Sequence, residues 1–97
     1  MSDFPEYAEL TGLLRELHYL KAVHGLLEWD EQVLLPSGSA SFRARQSAAM
    51  ASVVHEAETT PRIGELLKAL EPRVEADQPE GVVVREARKD YDRKVRL

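Results

Sequence analysis

An all-α fold of three to four antiparallel helices, incomplete as a domain, is what this 97-residue sequence predicts. Apolar residues recur at spacings of three and four. Proline-bearing capping signals open segments at separated points along the chain. The one strand-like triplet, Val33-Leu34-Leu35, has no second strand to pair with, so it is read as an apolar plug tucked under the helices.

The first helix is expected over about 4–29. Asp3-Phe4-Pro5-Glu6 supplies a cap, a proline in the first turn and a glutamate that can reach back. Leu10, Leu13, Leu14, Leu17, Leu20 and Leu27 then form one stripe, extended by Tyr7. Gly12 and Gly25 weaken this helix by about 1 kcal/mol each, which suggests close approach of a neighbour. Trp29 is expected to be buried against the second helix, with Asp30 pairing to Arg43 or Arg45.

A linker with Pro36, Gly38 and three serines leads to a second helix over about 41–58, where Phe42, Ala49, Met50, Val53, Val54 and Ala57 share a face. Thr60-Pro61 reads as cap and first residue of a third helix, about 61–71, ended by Pro72. Ile63, Leu66, Leu67, Leu70 and Val74 give it the clearest amphipathic pattern in the chain. Asp77-Gln78-Pro79-Glu80 opens a fourth helix, about 78–97, with Val84, Ala87, Tyr91 and Val95 on its inner stripe. That pattern is still running at Leu97, without a glycine cap, as expected of a chain cut inside a helix. The four together read as a single N-terminal helical region, 1–97. The cut would leave part of the stripe uncovered, so self-association through the first and fourth helices is expected.

Composition narrows the function classes. Leu, Ile, Val and Phe number 25 of 97, enough for a core. With no cysteine there is neither a disulfide nor a thiolate metal site. The start lacks a basic and then apolar leader, and no apolar run approaches the roughly 18 residues that would span a bilayer. A cytoplasmic protein without membrane partners is the expectation. Net charge is −4, divided as +3 over Val82–Leu97 and −7 before it. The basic tail alternates in sign, with Asp90–Lys94 and Asp92–Arg96 at i,i+4, so it reads as a solvated helix face and no nucleic-acid partner is inferred.

One stretch begins like a zinc-peptidase motif. His55-Glu56-Ala57-Glu58-Thr59 opens as HExxH does, but Thr59 stands where the second histidine would be. A catalytic zinc needs about three protein ligands. His18 and His24, six residues apart, lie roughly 240° apart around a helix and cannot grip one ion together. His55 is therefore read as a histidine near a helix C-terminus, where it meets the dipole and free carbonyls. Ser37, Ser39, Ser41, Ser47 and Ser52 lack a nucleophile elbow, and Ser37-Gly38-Ser39 lacks the setting of a phosphate loop. No catalytic, cofactor-binding or metal-binding residue is assigned.

Leu27-Glu28-Trp29-Asp30-Glu31-Gln32, then Leu35-Pro36, then Phe42-Arg43-Ala44-Arg45-Gln46 resembles the beginning of the carboxypeptidase Taq family of zinc metallocarboxypeptidases. The similarity continues to His55, and resumes at Thr60-Pro61-Arg62-Ile63-Gly64-Glu65 and at Val84-Arg85-Glu86-Ala87-Arg88 through Tyr91. The resemblance implies a mostly helical wall or lid beside a deep active-site cleft. In that family the HExxH and a further glutamate ligand lie well downstream, so His55 and Glu56 do not match its metal positions. It implies zinc, or another divalent metal, in the full-length enzyme and none in this chain. It also implies release of C-terminal amino acids from peptides by the whole enzyme, inactivity of this segment alone, and three partners: the remainder of the enzyme chain, a homo-oligomeric copy, and peptide substrate. The alternative is a free-standing helical interaction module without catalysis.

Overall fold

The computed structural model describes the backbone of residues 5–33 and 40–96, and the side chains of residues 5–29 and 41–96. These residues form four helices: α1 (Pro5–Val33), α2 (Ala40–Thr59), α3 (Pro61–Leu70) and α4 (Pro79–Val95). No strand occurs among them, and the fold is all-α.

Helix α3 organises the core. Its four apolar residues at i, i+3, i+4 and i+7 (Ile63, Leu66, Leu67 and Leu70) are all buried. They pack with Leu10 of α1 and with Val84 and Ala87 of α4, while Tyr7, Leu13, Leu14, Val74 and Tyr91 close the edges. Burying a leucine or isoleucine side chain is worth about 1.5–3 kcal/mol, so this cluster supplies most of the hydrophobic stabilisation. Proline opens both α3 and α4, where its missing N–H costs nothing.

Two glycines permit the α3–α4 packing. Tyr91 lies across Gly64, where a methyl group would stand 2.9 Å from the tyrosine hydroxyl. At Gly81 a methyl group would run into the carbonyl oxygen of Glu75, so only glycine lets the turn at 71–78 close onto α4.

Guanidinium forks tie the helices at the surface. Arg62 of α3 grips both oxygens of Glu9 on α1, each at 2.6 Å, and reaches Glu65 at 3.0 Å. Arg88 of α4 grips both oxygens of Glu71, at 2.7 and 3.1 Å. Arg73 pairs with Glu6 at 3.3 Å. Planar bidentate geometry of this kind fixes register as well as adding attraction.

Helices α1 and α2 run antiparallel, as the Lys21–Glu58 and His24–Ser47 pairs show. Beyond the core they continue as a two-helix arm. The molecule is elongated, 54 × 24 × 19 Å, with a radius of gyration of 16.7 Å; a compact chain of this length would have about 12.5 Å.

Several expectations change here. Helix α1 does not end at Trp29 but continues to Val33. Trp29 is 57% exposed, not buried against α2. At 100° per residue it lies about 200° around the helix from the inward Leu27, on the opposite side. Phe42 and Val53 likewise face outward, at 63% and 44% exposure, while Val54 of the same helix is buried. Val84 and Ala87, expected to lie partly uncovered, are core residues at 2% and 7% exposure. The N-cap of α4 is Gln78, without a side-chain cap bond, so Asp77 does not cap it. On α4, Asp90 pairs with Arg93, Asp92 with Arg88, and Lys94 turns to Glu58 of α2. The charges of α4 thus reach neighbouring helices as well as solvent. The Asp3 cap, the Asp30 pairing and the Val33-Leu34-Leu35 plug lie outside the described side chains.

Candidate functional site

The HEAET segment forms the last turn of α2, with His55 exposed. Thr59, at the position of the absent histidine, donates its hydroxyl to the His55 carbonyl at 2.8 Å. This is the back-bond a helical threonine makes to the carbonyl one turn earlier, within α2. His18 is exposed and tilts against Tyr19, ring centroids 6.2 Å apart, while His24 faces α2. Three histidines therefore take three separate environments. Among the described residues, no three side chains of the metal-binding types converge, so these residues do not fit a catalytic zinc.

The structure does assemble a serine, a histidine and a carboxylate that sequence reasoning kept apart. Ser47, 8% exposed, meets His24 Nε2 at 3.4 Å, and Glu28 approaches that nitrogen at 3.6 Å. A nucleophile relay needs the serine on one ring nitrogen and the carboxylate on the other. Here both partners compete for Nε2. The group gives a buried hydroxyl a polar neighbour and spans α1 and α2; it does not activate a nucleophile. Its members are 19 residues apart or more across the two helices, so only the register of the hairpin reveals it.

A groove of about 540 Å³ opens between α1 and α4. Leu14, Leu17, Ile63, Ala87 and Tyr91 contribute its apolar surface. At one end Glu58, its side chain only 10% exposed, faces Lys21 at 3.2 Å and Lys94 at 3.8 Å. One carboxylate thereby joins α1, α2 and α4. Its two cation partners lie 37 and 36 positions away along the chain, beyond any helical spacing rule. The groove is a helix-lined, mostly apolar surface with a charged end, suited to packing or to steering a ligand.

An all-helical segment with this punctuation matches part of a longer protein. The sequence profile of the carboxypeptidase Taq (M32) metallopeptidases matches residues 9–97, and the chain belongs to that family. Among curated relatives, Thermostable carboxypeptidase 1 of Thermus thermophilus is 39% identical over 96 residues, covering 96% of this chain and 19% of the relative. The chain thus spans about a fifth of that enzyme's length.

Proposed function

We propose that this segment serves as the N-terminal wall or lid of a carboxypeptidase Taq-type metallopeptidase, shaping access to a metal site supplied by residues outside it. The observation that carries this reading is the family match over residues 9–97. In the whole enzyme the reaction would be metal-dependent release of C-terminal amino acids from peptides, with zinc or another divalent ion polarising the scissile carbonyl. The segment alone would be inactive, a truncated part whose partners are the remainder of the enzyme and, through it, peptide substrate. The reading includes a cytoplasmic location; among the described residues no helix is long and apolar enough to cross a membrane.

A chimera tests the reading. This chain would replace the matching segment of the Thermus enzyme, and carboxypeptidase activity would be assayed with and without chelator. Expected results are chelator-sensitive turnover in the chimera and none in the 97-residue chain alone. Substitutions at the α1–α4 groove should then alter KM for peptides of different length more than kcat. Chelator-sensitive hydrolysis by the isolated chain would reject the wall reading.

The second reading, a non-catalytic interaction module, draws support from one observation: the arm exposes Tyr19, Val23, Leu26 and Trp29 on one helix. Binding by the isolated chain without complementation of any catalytic partner would favour it.

A further inference from the structure

We propose that the groove between α1 and α4 seats one amphipathic helix from the remainder of the enzyme. That helix is acidic in its first turn, basic in its last, and runs antiparallel to both walls. Its source rests on the metallopeptidase reading; its polarity rests on the groove alone.

Helices α1 and α4 run parallel. Toward one end Leu10 lies in the core with Val84 and Ala87, and at the other Lys21 and Lys94 meet on the Glu58 carboxylate. The groove follows α4 from Val82 to Lys94, about 18 Å at 1.5 Å per residue, or roughly three helical turns. Leu14, Leu17, Ile63, Ala87 and Tyr91 make it apolar, and Val82 at its rim is 40% exposed. A trough of that length and character between two helices is a seat for a third, whose side chains at i, i+3, i+4 and i+7 would fill it.

Charge decides the direction. Glu86, Asp90 and Lys94 line the α4 wall at i, i+4 and i+8, so they share one stripe. Two turns of that stripe are acidic and the last is basic. Lys94 is joined there by Lys21, and the single charge of Glu58 balances only one of the two cations. Asp90 is paired with Arg93 at 3.1 Å, and Glu86 with Lys89 at 3.5 Å and Arg85 at 3.7 Å. These pairs are exposed, and exposed pairs yield to a new partner at little cost. A helix is most stable with acidic residues in its first turn and basic ones in its last. Such charges meet Lys21 with Lys94, and Glu86 with Asp90, only if the helix starts at the lysine end. The reverse direction sets its charges against either the groove or its own dipole.

The helices of this chain do not meet that description. Neither α1 nor α2 has a basic residue in its last turn, and α3 has no acidic one in its first. Helix α4 has both, but its apolar residues Val84 and Ala87 are already buried. A source outside the chain is at hand, because the chain covers only 19% of the Thermus relative.

Two measurements test the proposal. In the first, fluorescence anisotropy follows a labelled synthetic peptide of about 18 residues, long enough to form a helix, as it binds the 97-residue chain. The peptide carries a leucine stripe, glutamates in its first turn and lysines in its last; a control peptide has these charges exchanged. The first should bind one to one and at least about tenfold tighter than the control. Lys94→Glu should reverse that preference, and Leu26→Glu, on the arm, should leave it unchanged. Equal binding of the two peptides, no binding, a preference that Lys94→Glu does not reverse, or one lost in Leu26→Glu would overturn the polarity. In the second, Leu17→Cys is introduced into the chain, which has no cysteine of its own. Its reaction with a thiol reagent is followed by mass spectrometry in the isolated chain and in the Thermus chimera. The reaction should be at least about tenfold slower in the chimera, where the seated helix denies access. Equal rates would overturn the source and leave the groove to another protein. Turnover by the chimera is read separately, so protection in an inactive chimera would support the seat while counting against the wall reading.

Discussion

The core end and the arm of this molecule use apolar residues in opposite ways. Helix α3 confines its apolar side chains to one face and buries four of them at 3% exposure or less. The distal half of α1 spreads them over two faces, and one face remains in water. The helical propensities are ordinary in both regions. What differs is the number of neighbours: α3 lies between α1 and α4, whereas the arm is a hairpin of α1 and α2 alone. Apolar content therefore does not locate stability in this chain; enclosure does.

That contrast predicts its own largest effect. Leu67→Ala, at a fully buried position, should cost about 2–5 kcal/mol, the range for opening a cavity in a packed core. Trp29→Ala removes a far larger side chain, yet in the monomer it should change stability by no more than about 0.5 kcal/mol. Urea denaturation at concentrations too low for association would measure both. A Trp29→Ala loss comparable to that of Leu67→Ala would show the arm to be enclosed after all.

Gly81 sharpens the comparison within the core end. Its virtual methyl collides with backbone at Glu75, which cannot swing away as a side chain tip could. Gly81→Ala should cost about 1–3 kcal/mol through displacement of the 71–78 turn. By contrast, Gly12→Ala sits in open space in the middle of α1. It should stabilise the chain by about 0.5–1 kcal/mol, the helix-propensity difference alone. Thermal denaturation of the two variants should move in opposite directions.

The comparison also explains what the sequence reveals and what it withholds. The pattern of α3 is readable because one face is apolar and the opposite face is charged, leaving a single way to bury it. Helix α1 offers two apolar faces, and periodicity alone identifies the leucine stripe without saying that Trp29 belongs to the other one. The same ambiguity turns Phe42 and Val53 outward on α2 while Val54 goes in. At the candidate site, the absent second histidine of HEAET is legible from spacing, because both ligands would share one helix. Contacts between helices are not: Glu58 with Lys21 and Lys94, or Ser47 with His24, depend on the register of helices whose partners are far apart in sequence. Resemblance to a known family bridges that gap for the overall fold, through motifs such as Trp29-Asp30 and Arg43-Ala44-Arg45-Gln46, but it brings no contact with it.

The smallest expected effect concerns the Arg62 fork, which joins α3 to the start of α1 at Glu9, within the core end. The fork's hydrogen bonds hold the Glu9 carboxyl below its ordinary range, with the charge of Arg62 adding to them, and the same contacts raise the Arg62 guanidinium. A carboxyl lowered in the folded state contributes stability that is present above its unfolded pKa, near 4.3, and is lost as pH falls through the folded value. Both side chains are well exposed, 49% for Arg62 and 43% for Glu9, so screening keeps the contribution small. Arg62→Ala should therefore lower the melting temperature slightly at pH 7, and the gap from wild type should narrow as pH drops from about 5 toward 2. Added salt should narrow it at pH 7 as well, since exposed pairs are screened within about 10 Å at 0.1 M. A gap that stays constant through the acid range and in salt would mean that Arg62 acts through the packing of its stem on α1, not through its charge on Glu9.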